Sequence, residues 1–77
     1  MDRRAKISAI LRRVAKNEDL PGPEVSLFET GYLDSFGLPD VLSALEQEFG
    51  ITIPDADLNP RKFDTIERIE EYLDSRE

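Results

Sequence analysis

The sequence predicts an all-α fold, a small four-helix bundle with three main helices, one short helix and a long first loop. Three observations carry that prediction. Apolar residues recur at helical spacing in three separate stretches, the one alternating stretch is three residues long and has no pairing partner, and a Pro-Gly-Pro turn separates the first helix from a long connection. No segment repeats and no linker divides the chain, so its 77 residues are expected to form a single domain, 1–77. A domain this small buries only roughly 60% of the surface its unfolded chain exposes, which leaves little room for a deep cleft.

Ile7, Ile10, Leu11 and Val14 fall at i, i+3, i+4 and i+7 and form one stripe of a first helix from about Asp2 to Lys16. Asn17 to Pro23 should end it, because proline cannot continue a helix. The loop that follows carries Val25, Leu27, Phe28 and Leu33, apolar side chains able to pin it to the bundle, with Gly31 free to take a positive φ. Leu38, Val41, Leu42, Leu45 and Phe49 define a second helix from about Ser35 to Phe49, stopped by Gly50. Asp34 or Ser35 can cap it, which places Pro39 in the first turn, where a missing N–H costs nothing. Ile51-Thr52-Ile53 reads as a connector that docks two isoleucines in the core, and the sequence allows a short helical turn from Asp55 to Leu58. Asp64 or Thr65 can cap the last helix, whose buried stripe is Phe63, Ile66, Ile69 and Leu73 with Tyr72 at its flank.

Composition removes several functions. With no cysteine there is no disulfide framework and no thiolate zinc site, and with no histidine there is no ready general base near neutral pH. The charged start is not followed by a long apolar run, so neither a secretory signal nor a membrane span is read, and a cytoplasmic location is expected. The net charge of −7 is unevenly spread: Arg3, Arg4, Lys6, Arg12, Arg13 and Lys16 crowd the first helix, and no Lys or Arg occurs from Asn17 through Pro60. Such an acidic span repels nucleic acid and attracts basic protein surfaces. The basic first segment reads as a solvated helix face.

Asp55-Ala56-Asp57-Leu58-Asn59 opens like a calcium loop but fails its later requirements. Pro60 stands where glycine must make the sharp turn, and Ile66 where a bidentate Glu is needed, so no metal site is expected. Paired carboxylates are available, but on what read as solvated faces, where nothing raises a pKa for acid catalysis. What remains is Ser35, at the end of the long loop and the start of the second helix. Taken alone, it reads as an N-cap. The lack of any base to activate the hydroxyl argues instead for a recipient of modification, and a helix N-terminus favours an attached phosphate by about 0.3–1 kcal/mol.

Leu33-Asp34-Ser35-Phe36, preceded by Gly31 and followed by the acidic run to Phe49-Gly50-Ile51, resembles the Asp-Ser-Leu signature and second helix of acyl carrier and peptidyl carrier proteins. Nearly the whole chain takes part, down to Phe63-Asp64-Thr65-Ile66 opening the last helix. The resemblance implies a carrier-protein domain whose Ser35 holds a 4'-phosphopantetheine arm, transferred from coenzyme A by a phosphopantetheinyl transferase, with cargo held on the terminal thiol as a thioester. It implies a non-enzymatic, monomeric carrier served by a loading ligase or synthetase and by downstream acyl-transfer enzymes with basic docking patches. Asp34, Phe36, Asp40, Glu46 and Glu48 are the candidate recognition residues; for Phe36, partial core burial is the competing reading.

Departures bear on the cargo. Gly37 stands where fatty-acid carriers usually have an acidic residue, and Pro39 where Val or Thr is common. Asp34-Ser35-Phe36-Gly37 is similar to the Asp-Ser-Met-Gly of D-alanyl carrier proteins, and Leu58 to Phe63 resembles freestanding aminoacyl carriers, which leaves aminoacyl and specialised acyl cargoes both open. The alternative from another class is an unmodified acidic interaction domain with Ser35 only a cap, in which Ser35→Ala costs about 1 kcal/mol. A hydrolase is a third and minor reading, because no base accompanies the serine.

Overall fold

The Asp2 carboxylate accepts from Ala5 N at 2.7 Å and opens helix α1, Arg3–Ala15. The computed structural model describes residues 2–76; Met1 and Glu77, the two ends of the expected unit, lie outside the described residues. Helix α1 stops at Lys16, which takes a left-handed φ of 55° and donates its N–H to Arg12 O. The stop therefore comes before Pro21-Gly22-Pro23 and is made by a backbone cap rather than by proline. Helix α2 is Leu38–Phe49, closed by Gly50 at φ 64°, and α3 is Ile66–Arg76. Thr65 Oγ1 accepts from Arg68 N at 3.0 Å, which makes Thr65 rather than Asp64 the side-chain cap of α3.

The short fourth helix takes the form of two successive 3-10 turns, Asp55–Asp57 and Pro60–Phe63. Pro60 separates them because its missing N–H and fixed φ suit only the start of a turn. Phe63 thus leaves the α3 stripe assigned to it and enters the core from the second turn, fully buried. All three helices meet around one apolar cluster: Ile7, Ile10 and Leu11 from α1, Val41, Leu42 and Leu45 from α2, Ile66, Ile69 and Leu73 from α3. The long loop contributes Leu27 and Leu33, and Ile53 docks from the connector with Ile51 half-buried beside it. Val25, expected to help pin the loop, is instead 41% exposed.

The basic face of α1 is tied to its neighbours rather than merely solvated. Arg4 forks onto Glu70 of α3, with nitrogen–oxygen distances of 2.6 to 3.2 Å, and Arg3 pairs with Asp74. Lys6 faces Glu48 of α2 at 3.7 Å. Partly exposed pairs of this kind add little stability one by one, and they engage the first turns of the basic face while Arg12, Arg13 and Lys16 at its end stay exposed.

The 3-10 segment is latched to α3 through Tyr72, which is buried in the core rather than at its flank. Its ring lies 5.0 Å from that of Phe63, and its hydroxyl donates to Asp57 Oδ2 at 2.8 Å, while Lys62 Nζ reaches Asp57 Oδ1 at 2.8 Å. Lys62 first, and the Tyr72 hydroxyl second, hold the Asp57 carboxyl below its ordinary pKa. A depressed carboxylate contributes stability that is complete above its unfolded pKa and is lost as pH falls through the folded value. In Tyr72→Phe the Asp57 midpoint, followed by carboxyl NMR titration, should rise toward the ordinary value yet stay below it, since Lys62 remains; an unmoved midpoint would remove the hydroxyl from this account.

Candidate functional site

Two anchors bring the long loop to a fixed end. Tyr32 Oη donates to Asn17 O at 2.5 Å, which ties the end of the loop back to its beginning, and Leu33, 4% exposed, plugs the core while its N–H donates to Leu27 O at 3.0 Å. The chain then turns. Asp34 Oδ1 accepts from Phe36 N at 3.0 Å and Gly37 N at 2.8 Å, and Asp34 O accepts from Gly37 N at 3.1 Å and Leu38 N at 3.2 Å. One residue thereby satisfies the amides leading into α2. Helix α2 starts at Leu38, the first residue of its apolar pattern and three residues later than the expected start near Ser35, because this Asp34-centred turn occupies 34–37 and Gly37 is the last residue before the helix.

Ser35 sits at the crest of that turn, exposed, and its hydroxyl makes no hydrogen bond among the described residues. It caps nothing: the Asp34 side chain holds the turn, and α2 follows Gly37 without a side-chain cap. The same geometry alters the expected anion preference. The Phe36, Gly37 and Leu38 amides are already engaged by Asp34, and Pro39 has no N–H, so a group on Ser35 Oγ would project outward rather than sit against the helix N-terminus.

Phe36 is 88% exposed, which overturns the core-burial reading. Gly37 has an ordinary φ of −81°, yet a Cβ there would lie 3.0 Å from Leu33 Cδ1 and 3.6 Å from Val14 Cγ1. Its smallness lets the turn approach the core, a packing reason that the sequence comparison of this position did not reveal.

The predicted acidic residues do not share one face. Asp40 lies exposed in the first turn of α2, on the Ser35 end. Glu46 spends Oε2 on Ile53 N at 2.8 Å and so holds the connector, whereas Glu48 faces Lys6 on α1. Beside Glu46 an open groove of about 390 Å³ runs between α2 and the first 3-10 turn, lined by Pro39, Leu42, Ser43, Ile53 and the half-exposed Leu58. Asp57, from the failed calcium pattern, is committed to Lys62 and Tyr72, and among the described residues no three potential ligands converge on a metal position. Tyr32 carried no sequence signal and Asp64 was read only as a possible cap of the last helix, because the bonds by which they support the loop span 15 residues and up to 38 residues, beyond any local spacing rule.

The phosphopantetheine attachment site family model matches residues 5–73. The chain is 32% identical to a D-alanyl carrier protein of Bacillus pumilus over 95% of both chains, and 31% identical to one of Bacillus velezensis over 90% of both. A D-alanyl carrier protein of Lacticaseibacillus rhamnosus is 39% identical over 73% of this chain and 63% of its own. The chain belongs to the phosphopantetheine-attachment family: it is a carrier protein with a covalently held 4'-phosphopantetheine group.

Because Ser35 is exposed and unbonded, Ser35→Ala should change folding stability by less than about 0.5 kcal/mol. Asp34→Ala, which strips the side-chain acceptor from the same turn, should cost about 1 kcal/mol. Urea unfolding of the two variants checks the pair; a larger loss for Ser35→Ala would return the serine to a capping role.

Proposed function

We propose that Ser35 is the attachment point, and that the chain works as one monomeric carrier domain in the cytoplasm. The single observation supporting this is the hydroxyl itself, exposed and unengaged on a turn whose amides Asp34 already satisfies. In the transfer, Ser35 Oγ forms a new bond to the phosphorus of coenzyme A that carries the pantetheine, the pyrophosphate bond breaks, and the nucleotide leaves. The hydroxyl proton goes to a base on the transferase, since this chain has neither His nor Cys. When bound, the arm supplies the thiol that holds cargo as a thioester. The chain's own part is to present the hydroxyl and be recognised; the chemistry of transfer and loading belongs to partner enzymes.

The cargo that fits best is an aminoacyl group, with D-alanine the instance given by the relatives' names. The Asp34-Ser35-Phe36-Gly37 turn supports this, being similar to the signature of that group of carriers. Among the described residues, no helix is long and apolar enough to cross a membrane. For recognition, Asp34 adjoins the serine but spends its carboxylate on the turn, which leaves Phe36 as an apolar anchor and Asp40, in the first turn of α2, as a steering charge. Glu46 and Glu48 are partly spent inside the molecule and would contribute less.

Incubation with coenzyme A and a phosphopantetheinyl transferase should add one arm to the wild type and none to Ser35→Ala, read by intact-protein mass spectrometry. A modified Ser35→Ala would sink the assignment. Asp40→Lys should slow transfer about tenfold at low salt and less at high salt, with folding unchanged, because it reverses a steering charge. Phe36→Ala should raise KM instead. With the arm in place, a D-alanine-activating ligase and ATP should add the mass of one alanyl group; loading by a fatty-acyl ligase alone would overturn the cargo.

A further inference from the structure

We propose that Asp64, at the threshold of α3, is a positioning residue for modification of Ser35. Its carboxylate oxygen Oδ1 accepts from Ser26 Oγ at 2.7 Å and from Phe28 N at 3.4 Å, and its backbone oxygen accepts from Leu27 N at 2.7 Å. These bonds reach across 38 residues of sequence and grip three consecutive residues of the loop.

From that grip a ladder runs to the reactive turn. Ser26 Oγ, while donating to Asp64, accepts from Glu29 N at 3.0 Å, and Ser26 O accepts from Thr30 N at 3.3 Å and Thr30 Oγ1 at 2.9 Å. Leu27 O accepts from Leu33 N at 3.0 Å, and Leu33 adjoins Asp34, whose carboxylate shapes the turn that carries Ser35. The pocketed Leu27 and Leu33 side chains make the ladder stiff, since packed apolar groups have few alternative positions. Asp64 itself touches neither Ser35 nor the docking residues Phe36 and Asp40. Its effect is on how often the hydroxyl occupies the geometry that a transferase needs, the quantity to which in-line group transfer is sensitive.

This inference rests on Ser35 being the attachment point, and the test separates the two. Wild type, Asp64→Ala, Asp64→Asn and Ser26→Ala are compared in arm transfer with saturating coenzyme A, well below their melting temperatures. Ile69→Val, a core change that leaves every hydrogen bond of the ladder in place, serves as a control for loss of stability. Asp64→Ala should lower kcat about fivefold at unchanged KM for the carrier, and Asp64→Asn, which keeps an oxygen acceptor, should recover most of it. Ser26→Ala removes the 2.7 Å bond from its other end and should reproduce the loss, which keeps the test valid if Asp64→Ala fails to fold. Hydrogen exchange at the Phe36 and Gly37 amides should quicken in Asp64→Ala and Ser26→Ala and not in Ile69→Val. Wild-type kcat in both ladder variants, or an equal fall in Ile69→Val, would overturn the positioning role. A wild type that accepts no arm at Ser35 would instead overturn the attachment assignment.

Discussion

Burial of Leu27 and Leu33 is the constraint on which the rest depends. A long connection without regular structure would ordinarily be a mobile strap, because each residue it fixes gives up backbone entropy of about 1–2 kcal/mol. Here two leucines sink into the same cluster as the helices, and the backbone between them closes on itself through Leu33 N and Leu27 O. The loop becomes part of the core's outer wall. Ser35, two residues beyond Leu33, inherits a defined place without being buried itself.

Charge is arranged with the same economy. The cations of α1 largely face acids from elsewhere in the chain, Arg4 on Glu70, Arg3 on Asp74, Lys6 on Glu48. This pairing draws the start of the basic segment into the helix packing, while the span from Asn17 to Pro60 has no cation of its own. A partner approaching Ser35 meets the exposed acids Asp34 and Asp40 on either side of it and the exposed ring of Phe36. Long-range attraction with a small apolar contact favours fast encounter and ready release, which is what a shuttle between several enzymes requires.

The helices were legible because their signals are local. The stripes of Ile7 to Val14 and Leu38 to Phe49 fall at helical spacing, and Gly50 ended α2 as a glycine in the left-handed region should. What the sequence hid was settled by competition between caps or by distant partners. Both Asp34 and Ser35 can cap a helix, and only the turn geometry shows Asp34 taking the amides and leaving the serine free. Phe63 followed the α3 stripe in spacing, but Pro60 and the Asn59 side chain, which accepts from Arg61 N, began a tighter turn that delivers it to the core by another route. Glu46 looked like a surface acid because its use, an N–H of Ile53 seven residues on, lies outside the helix it belongs to.

These differences bear on function in one direction. A serine that capped the helix would have its oxygen turned toward the first-turn amides, and modifying it would cost the helix a bond. With Asp34 holding the turn amides instead, a change at the hydroxyl breaks no hydrogen bond of the fold. The absence of histidine and cysteine completes the separation, since nothing in the chain activates Ser35 before a partner arrives. With Ser35 as the proposed attachment point, reactivity would belong to the complex and presentation to the carrier, and specificity would be read on the surface around Phe36 and Asp40, where changes leave the core intact.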